Sequence, residues 1–118
     1  MSSMKRSKLE SYLGFAARAG KVVTGSNTCL TMIPRRKVLL VIISEDVGEN
    51  TREKLSQKCA SHGVEYRIYG KAEMLSAMTG KTDKGIFGIT DKGFAESIRK
   101  EIDLIQSEME VTDGEKSI

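Results

Sequence analysis

The sequence predicts an α/β fold, a three-layer α-β-α sandwich built on a four-stranded mixed sheet. Three observations carry that prediction. Helix-like and strand-like segments alternate along the chain and end on a helix, the order typical of layered α/β domains. Val38 to Ile43 is a six-residue apolar run rich in β-branched side chains, which suits a central strand covered on both faces. Phe94, Ile98, Ile102, Ile105 and Met109 recur at helical spacing and predict a C-terminal helix with one apolar stripe.

Taken in order, Leu9, Tyr12, Leu13, Ala16, Ala17 and Ala19 predict a first helix over about Lys5 to Ala19, closed by Gly20. Val22-Val23-Thr24 is a short strand. Gly25-Ser26-Asn27 offers a turn and an N-cap for a second helix, which runs to about Ile33 and stops at Pro34. After the central strand, Glu45-Asp46 ends the run, and Asn50-Thr51-Arg52-Glu53 has the signature of a capped helix start. That third helix reaches about Ser61 and Gly63 terminates it. Tyr66 to Tyr69 is a strand and Lys71 to Met78 a short helix. Gly85 to Thr90 is a strand, and Asp91 caps the last helix. Residues 1–110 form a single domain in this reading, and 111–118 an acidic, frayed tail.

Composition narrows the function. The chain has 118 residues, 39% apolar and 30% charged, a globular balance with room for one domain. Without a long apolar stretch or a signal-peptide pattern, a cytoplasmic protein with no membrane partner is expected. Cys29 and Cys59 read as reduced, buried thiols. With His62 as the only histidine they make no zinc site, and neither a metal nor a cofactor is expected.

Charge is unevenly spread. Residues 1–44 hold eight lysines and arginines against Glu10 alone, a net of +7, whereas residues 101–118 hold six acids against Lys116, a net of −5. Such a split suits a polyanion-facing side with a solvated tail, and equally a soluble surface with chance clustering.

Catalytic chemistry is hard to find. Gly80-Lys81-Thr82 resembles the end of a phosphate-binding loop, but Leu75 stands where the first glycine belongs and a helix precedes it. His62 falls at a helix C-terminus with no acid–base partner, so it reads as a helix-end residue. Glu45 and Asp46 lie at the carboxyl end of the central strand, where open α/β sheets place ligands, although acids there also hold loops. The more telling stretch is Gly25-Ser26-Asn27-Thr28. A glycine-led helix start presents unpaired amides, and Asn27 can both donate and accept, as reading a base edge requires. Arg18 and Lys21 precede it, and Arg35, Arg36 and Lys37 follow its helix. The same turn also reads as an ordinary cap with basic neighbours.

Several segments in order, Leu13 to Lys21, Gly25, Val38 to Asp46, Asn50 to Leu55 with Lys58-Cys59, Gly63-Val64, Gly85 to Asp91 and Gly93 to Ala95, give the chain its likeness. From about Lys5 to Lys100 it resembles the L-seven-Ae/L-thirty-e superfamily of ribosomal and kink-turn RNA-binding proteins, most of all the ribosome-associated members of Gram-positive bacteria. The resemblance implies an α-β-α sandwich without enzymatic activity that binds structured RNA, above all ribosomal RNA. Implied contacts are Lys21, Gly25, Ser26, Asn27 and Thr28, together with the loop Lys81 to Ile86, which holds Lys81, Lys84, Gly85 and Ile86. The family's recognition signature is roughly Gly-x-Asn-Glu-x-x-Lys; Gly25 and Asn27 match it, while Thr28 and Thr31 replace the glutamate and the lysine. A monomer that contacts RNA, with ribosomal proteins as further partners, is therefore expected. The alternatives are an assembly module with little direct RNA readout, and an enzyme built on Glu45 and Asp46.

Overall fold

The computed structural model describes residues 2–83 and 85–117, with side chains from 8 to 83 and from 85 to 108. Nine elements follow one another: α1 (Ser2–Arg18), β1 (Val22–Thr24), α2 (Ser26–Met32), β2 (Leu40–Ile43), α3 (Glu49–His62), β3 (Glu65–Ile68), α4 (Ala72–Thr79), β4 (Ile86–Ile89) and α5 (Lys92–Ser117). The four strands form one sheet in the order β1-β4-β2-β3. β4 runs antiparallel to both β1 and β2, while β3 is parallel to β2, so the sheet is mixed. The parallel pair is joined through α3, as a parallel connection requires.

Alternation along β2 sorts the helices into layers. Leu40 and Ile42 pack into a core with Leu9, Leu13 and Ala16 of α1, Leu75 of α4 and Ile98, Ile102 and Ile105 of α5. Val41 and Ile43 point the other way, against Cys29 and Ile33 beside α2 and Leu55 and Cys59 of α3. All four β2 residues are fully buried, which is why the run shows no polar alternation.

Element ends differ from the sequence reading where tertiary contacts override local signals. The third helix starts at Glu49 with Gly48 as its N-cap rather than at Asn50, and no side chain caps it. Asp91 does cap the last helix, its Oδ2 accepting from the Phe94 amide at 2.9 Å. α5 continues to Ser117, past Val111 where fraying is expected; side chains there, like that of Met109, lie outside the described residues. Cys29 and Cys59 are free thiols. Burial pushes Cys29 up to about 12 and Cys59 up to about 11, so neither is a ready thiolate. Among the described residues, no helix is long and apolar enough to cross a membrane.

Candidate nucleic-acid interface

At the carboxyl end of β2, three loops close around an open groove of about 760 Å³. Gly25 and Ser26 line it from the start of α2, Asp46, Val47, Gly48 and Thr51 from the β2–α3 turn, and Thr82, Asp83 and Ile86 from the α4–β4 loop.

The α2 wall is fixed by the sheet. Gly25 continues the β1–β4 ladder, its amide donating to the Ile86 carbonyl at 3.0 Å. Its φ of 99° then turns the chain into the helix, a conformation that disfavours any residue with a Cβ. No side chain caps α2, and the first intrahelical bond is from the Cys29 amide to the Gly25 carbonyl, at 3.1 Å. The amides of Ser26, Asn27 and Thr28 therefore have no acceptor within the helix. Asn27 and Thr28 are exposed and Ser26 is half-buried. Thr31, at the signature's lysine position, turns its hydroxyl back onto the Asn27 carbonyl at 3.0 Å.

The second wall repeats this arrangement. α3 also begins at a glycine N-cap without a side-chain cap, and its ladder starts with the Arg52 amide on the Gly48 carbonyl, at 3.0 Å. Asp46 braces the loop before it. Its Oδ1 accepts from the Ser44 hydroxyl at 2.6 Å and from the Ala72 amide at 3.1 Å. The Ser44 hydroxyl first, then the Ala72 amide, hold this carboxyl below its ordinary range. Glu45 pairs with Lys71 at 3.6 Å. Glu45 and Asp46 thus tie the loop to α4, the role their helix-proximal position suggests, and among the described residues no cluster of metal-ligating side chains forms.

The third wall is stapled by Asp83. Its Oδ2 accepts from the Gly85 amide at 2.9 Å and the Ile86 amide at 2.8 Å, which starts β4. Gly85 itself is wedged in place: a Cβ there would sit 2.1 Å from Ser44 Oγ and 2.6 Å from Val47 Cγ2, at φ +128°. Two carboxylates thus face the groove, and both are occupied by protein donors.

The residues singled out from sequence do not share one surface. Gly25 and Ser26 line the groove, with Asn27 and Thr28 on the same exposed first turn. Lys81 lies beside Thr82, half-buried, its amide donating to the Thr79 hydroxyl at 3.2 Å. Gly85 is buried, and Ile86 forms groove floor while only 3% exposed, because β4 begins there and its side chains fill the core. Lys84 lies outside the described residues. Arg18 packs its guanidinium over the Phe15 ring, 5.2 Å from the centroid, on the outer side of α1. Lys21, Arg35, Arg36 and Lys37 stand at the opposite end of the sheet: the Lys21 carbonyl accepts from Thr90 at 2.9 Å, beyond the far end of β4. Thr82 and Asp83 fall inside the Lys81 to Ile86 loop that the resemblance implies, whereas sequence reasoning missed Val47, Gly48 and Thr51. The Asp83-x-Gly85 spacing before a strand is the Asx-turn pattern that fixes that loop.

Comparison with known proteins fits this geometry. The family model described as the Ribosomal protein L7Ae/L30e/S12e/Gadd45 family matches residues 7–99. The chain is 34% identical over 104 residues to the RNA-binding protein YlxQ of Enterococcus faecium, covering 87% of this chain and 99% of that one. With the Bacillus subtilis (strain 168) protein of the same name it shares 34% over 86 residues, 73% of this chain and 86% of that one. A Bacillus halodurans C protein of unknown function superimposes with a TM-score of 0.78 at 35% identity, over 81% of this chain and 97% of that one. The Giardia lamblia 15.5kD RNA binding protein superimposes at 0.69 and 18% identity, over 88% and 89% of the two chains, a likeness of fold. This chain belongs to the ribosomal protein L7Ae/L30e/S12e/Gadd45 family.

Proposed function

We propose that this protein is a monomeric RNA-binding protein whose groove receives a sharply bent, kink-turn-like segment of ribosomal or ribosome-associated RNA. One observation carries the reading: two helices, α2 and α3, open onto the same groove with glycine N-caps and no side-chain caps. Each contributes first-turn amides without helical acceptors and the positive end of a helix dipole. Such ends suit phosphate oxygens and electron-rich base edges. Asp46 and Asp83 keep their negative charge in the groove, with Asp46 Oδ1 and Asp83 Oδ2 engaged by Ser44, Ala72, Gly85 and Ile86, which favours base edges and their amino groups over bare phosphate beside them.

The groove also shapes the specificity. Among the described residues, no lysine or arginine lines it. Binding there should depend on fit and on a few polar contacts more than on charge, as with RNA whose unpaired bases are splayed open. Asn27, exposed on the first turn of α2, is the side chain able to donate to and accept from a base edge. The names of the YlxQ relatives point the same way.

Fluorescence anisotropy at fixed salt, with a kink-turn RNA and a straight duplex of equal length, tests the reading. The kinked RNA should bind at least about tenfold tighter, and Asn27→Ala should remove about 1–3 kcal/mol of that preference. Equal affinity for the two RNAs would rule out recognition of the bend.

A further inference from the structure

We infer that the end of the sheet opposite the groove, built from Lys21, Arg35, Arg36 and Lys37, is a second RNA site that grips the phosphate backbone of a separate duplex segment. The inference rests on the RNA-binding reading above but not on recognition of a kink.

Topology assembles the surface. Lys21 precedes β1, Lys37 lies just before the start of β2, and the end of β4 runs between them. The Lys21 carbonyl accepts from Thr90 at 2.9 Å and the Ile89 carbonyl accepts from Leu39 at 2.8 Å. Two strand spacings, about 10 Å in all, separate β1 and β2 at this end. All four cations are exposed. The ion pairs among the described residues involve Arg67, Lys71 and Arg99 and none of these four. Nearby acids are engaged: Asp91 by the Phe94 amide, Glu65 by Arg67 at 3.0 Å. Lys92 and Glu96, four residues apart at the start of α5, carry opposite charges.

The backbone here carries strain at one of the cations. α2 closes with paired reverse bonds, Arg36 amide to Ile33 carbonyl at 3.0 Å and Lys37 amide to Met32 carbonyl at 3.2 Å. This closure wants a glycine at its left-handed position. Arg36 occupies it, at φ 54°, the one non-glycine residue with positive φ among the described residues. The strained position holds a cation at this end of the sheet, with its guanidinium beside the C-terminus of α3 at Gly63.

Distance decides that this is a separate site. Leu39 and Ser44 bracket β2 and both bond to β4, so roughly 17 Å of sheet lies between the two ends at about 3.3 Å per residue. The screening length at physiological salt is about 8 Å. Cations two screening lengths away add little to a phosphate held in the groove. To contribute to binding they need their own stretch of backbone, and rows of exposed lysine and arginine suit that chemistry.

The test titrates a labelled straight duplex into protein already saturated with a minimal kink-turn RNA. A ternary complex is expected. The Arg35→Gln/Arg36→Gly/Lys37→Gln variant, with Lys21→Gln as an independent second variant, should weaken the duplex at least about tenfold for the triple change. It should also lower the slope of log affinity against log salt by about 2–3. The minimal kink RNA should bind both variants within about twofold of wild type, and thermal melting should show both folded. Competition between duplex and kink RNA for one site, or a duplex affinity untouched by either variant, would overturn the inference. If wild type shows no preference for the kink, the groove reading falls alone. Loss of duplex binding in the triple variant but not in Asn27→Ala then still upholds the second surface.

Discussion

Two turns at opposite ends of the sheet answer the same backbone demand with different residues. At the groove end, Gly85 takes φ +128° with Ser44 and Val47 pressed against it. At the basic end, Arg36 takes φ 54° in the open. The first turn obeys local rules because packing leaves no choice. The second breaks them in an exposed turn, where the Arg36 guanidinium reaches the C-terminus of α3 and keeps a positive charge at this end. One end is built for shape, with amides and a stapled loop; the other is built for charge.

Gly85→Ala should break that comparison at its stiffer end and have the largest effect. The added methyl meets the Ser44 hydroxyl at 2.1 Å in a backbone region hostile to side chains. Overpacking and strain together should cost about 3 kcal/mol in urea unfolding. A neutral result would mean the β2–α3 loop yields easily, and the groove is then soft rather than preformed.

Arg36 sharpens the contrast with a smaller effect of opposite sign. Its guanidinium lies 3.6 Å from the Cβ position of Gly63, at the C-terminus of α3, so removing it loses some favourable charge–dipole contact. Comparing Arg36→Gly with Arg36→Ala cancels that loss and isolates the backbone. Glycine should be the more stable of the two by about 1 kcal/mol, the reverse of their usual order. Alanine equal to or above glycine in thermal unfolding would remove the strain from the argument.

Legibility in the sequence follows how local each feature is. The six apolar residues of the central strand and the α5 stripe announce two buried elements by themselves, and alternation of helix and strand then yields the layers. Gly25 to Thr28 was readable as one wall of a site because a glycine-led helix start is a local pattern. The Thr82-Asp83 wall came only through the resemblance, and the Val47 to Thr51 wall not at all, since both meet Gly25 only once the sheet order is known. The same ignorance merged the two ends. Arg35 to Lys37 follow Asn27 closely in sequence, but α2 spans about 10 Å and carries them away from the groove. Gly85 and Ile86 read locally as the start of a strand, and only the resemblance made them loop contacts; the strand begins at Ile86, and burial follows from it.

Between the two ends, the outer edge strand supplies a control that should leave both RNA surfaces unaffected. Arg67 on β3 grips Asp103 of α5 through two bonds, Nε to Oδ1 at 2.6 Å and Nη2 to Oδ2 at 3.1 Å, with Arg99 adding a third at 3.3 Å. The Arg67 bond, more than any other contact, holds the Asp103 carboxyl below its ordinary 3.8. A carboxyl lowered in the folded state stabilises at neutral pH and loses that contribution as acid protonates it. Because the Asp103 side chain is 39% exposed, solvent screening limits the effect. Asp103→Asn should cost less than about 1 kcal/mol at pH 7. The gap between variant and wild type should stay constant down to the ordinary carboxylate range and close as pH falls below it. A gap that widens in acid would mean the clamp is not electrostatic, and any change in affinity for either RNA would mean the edge strand is coupled to the ends.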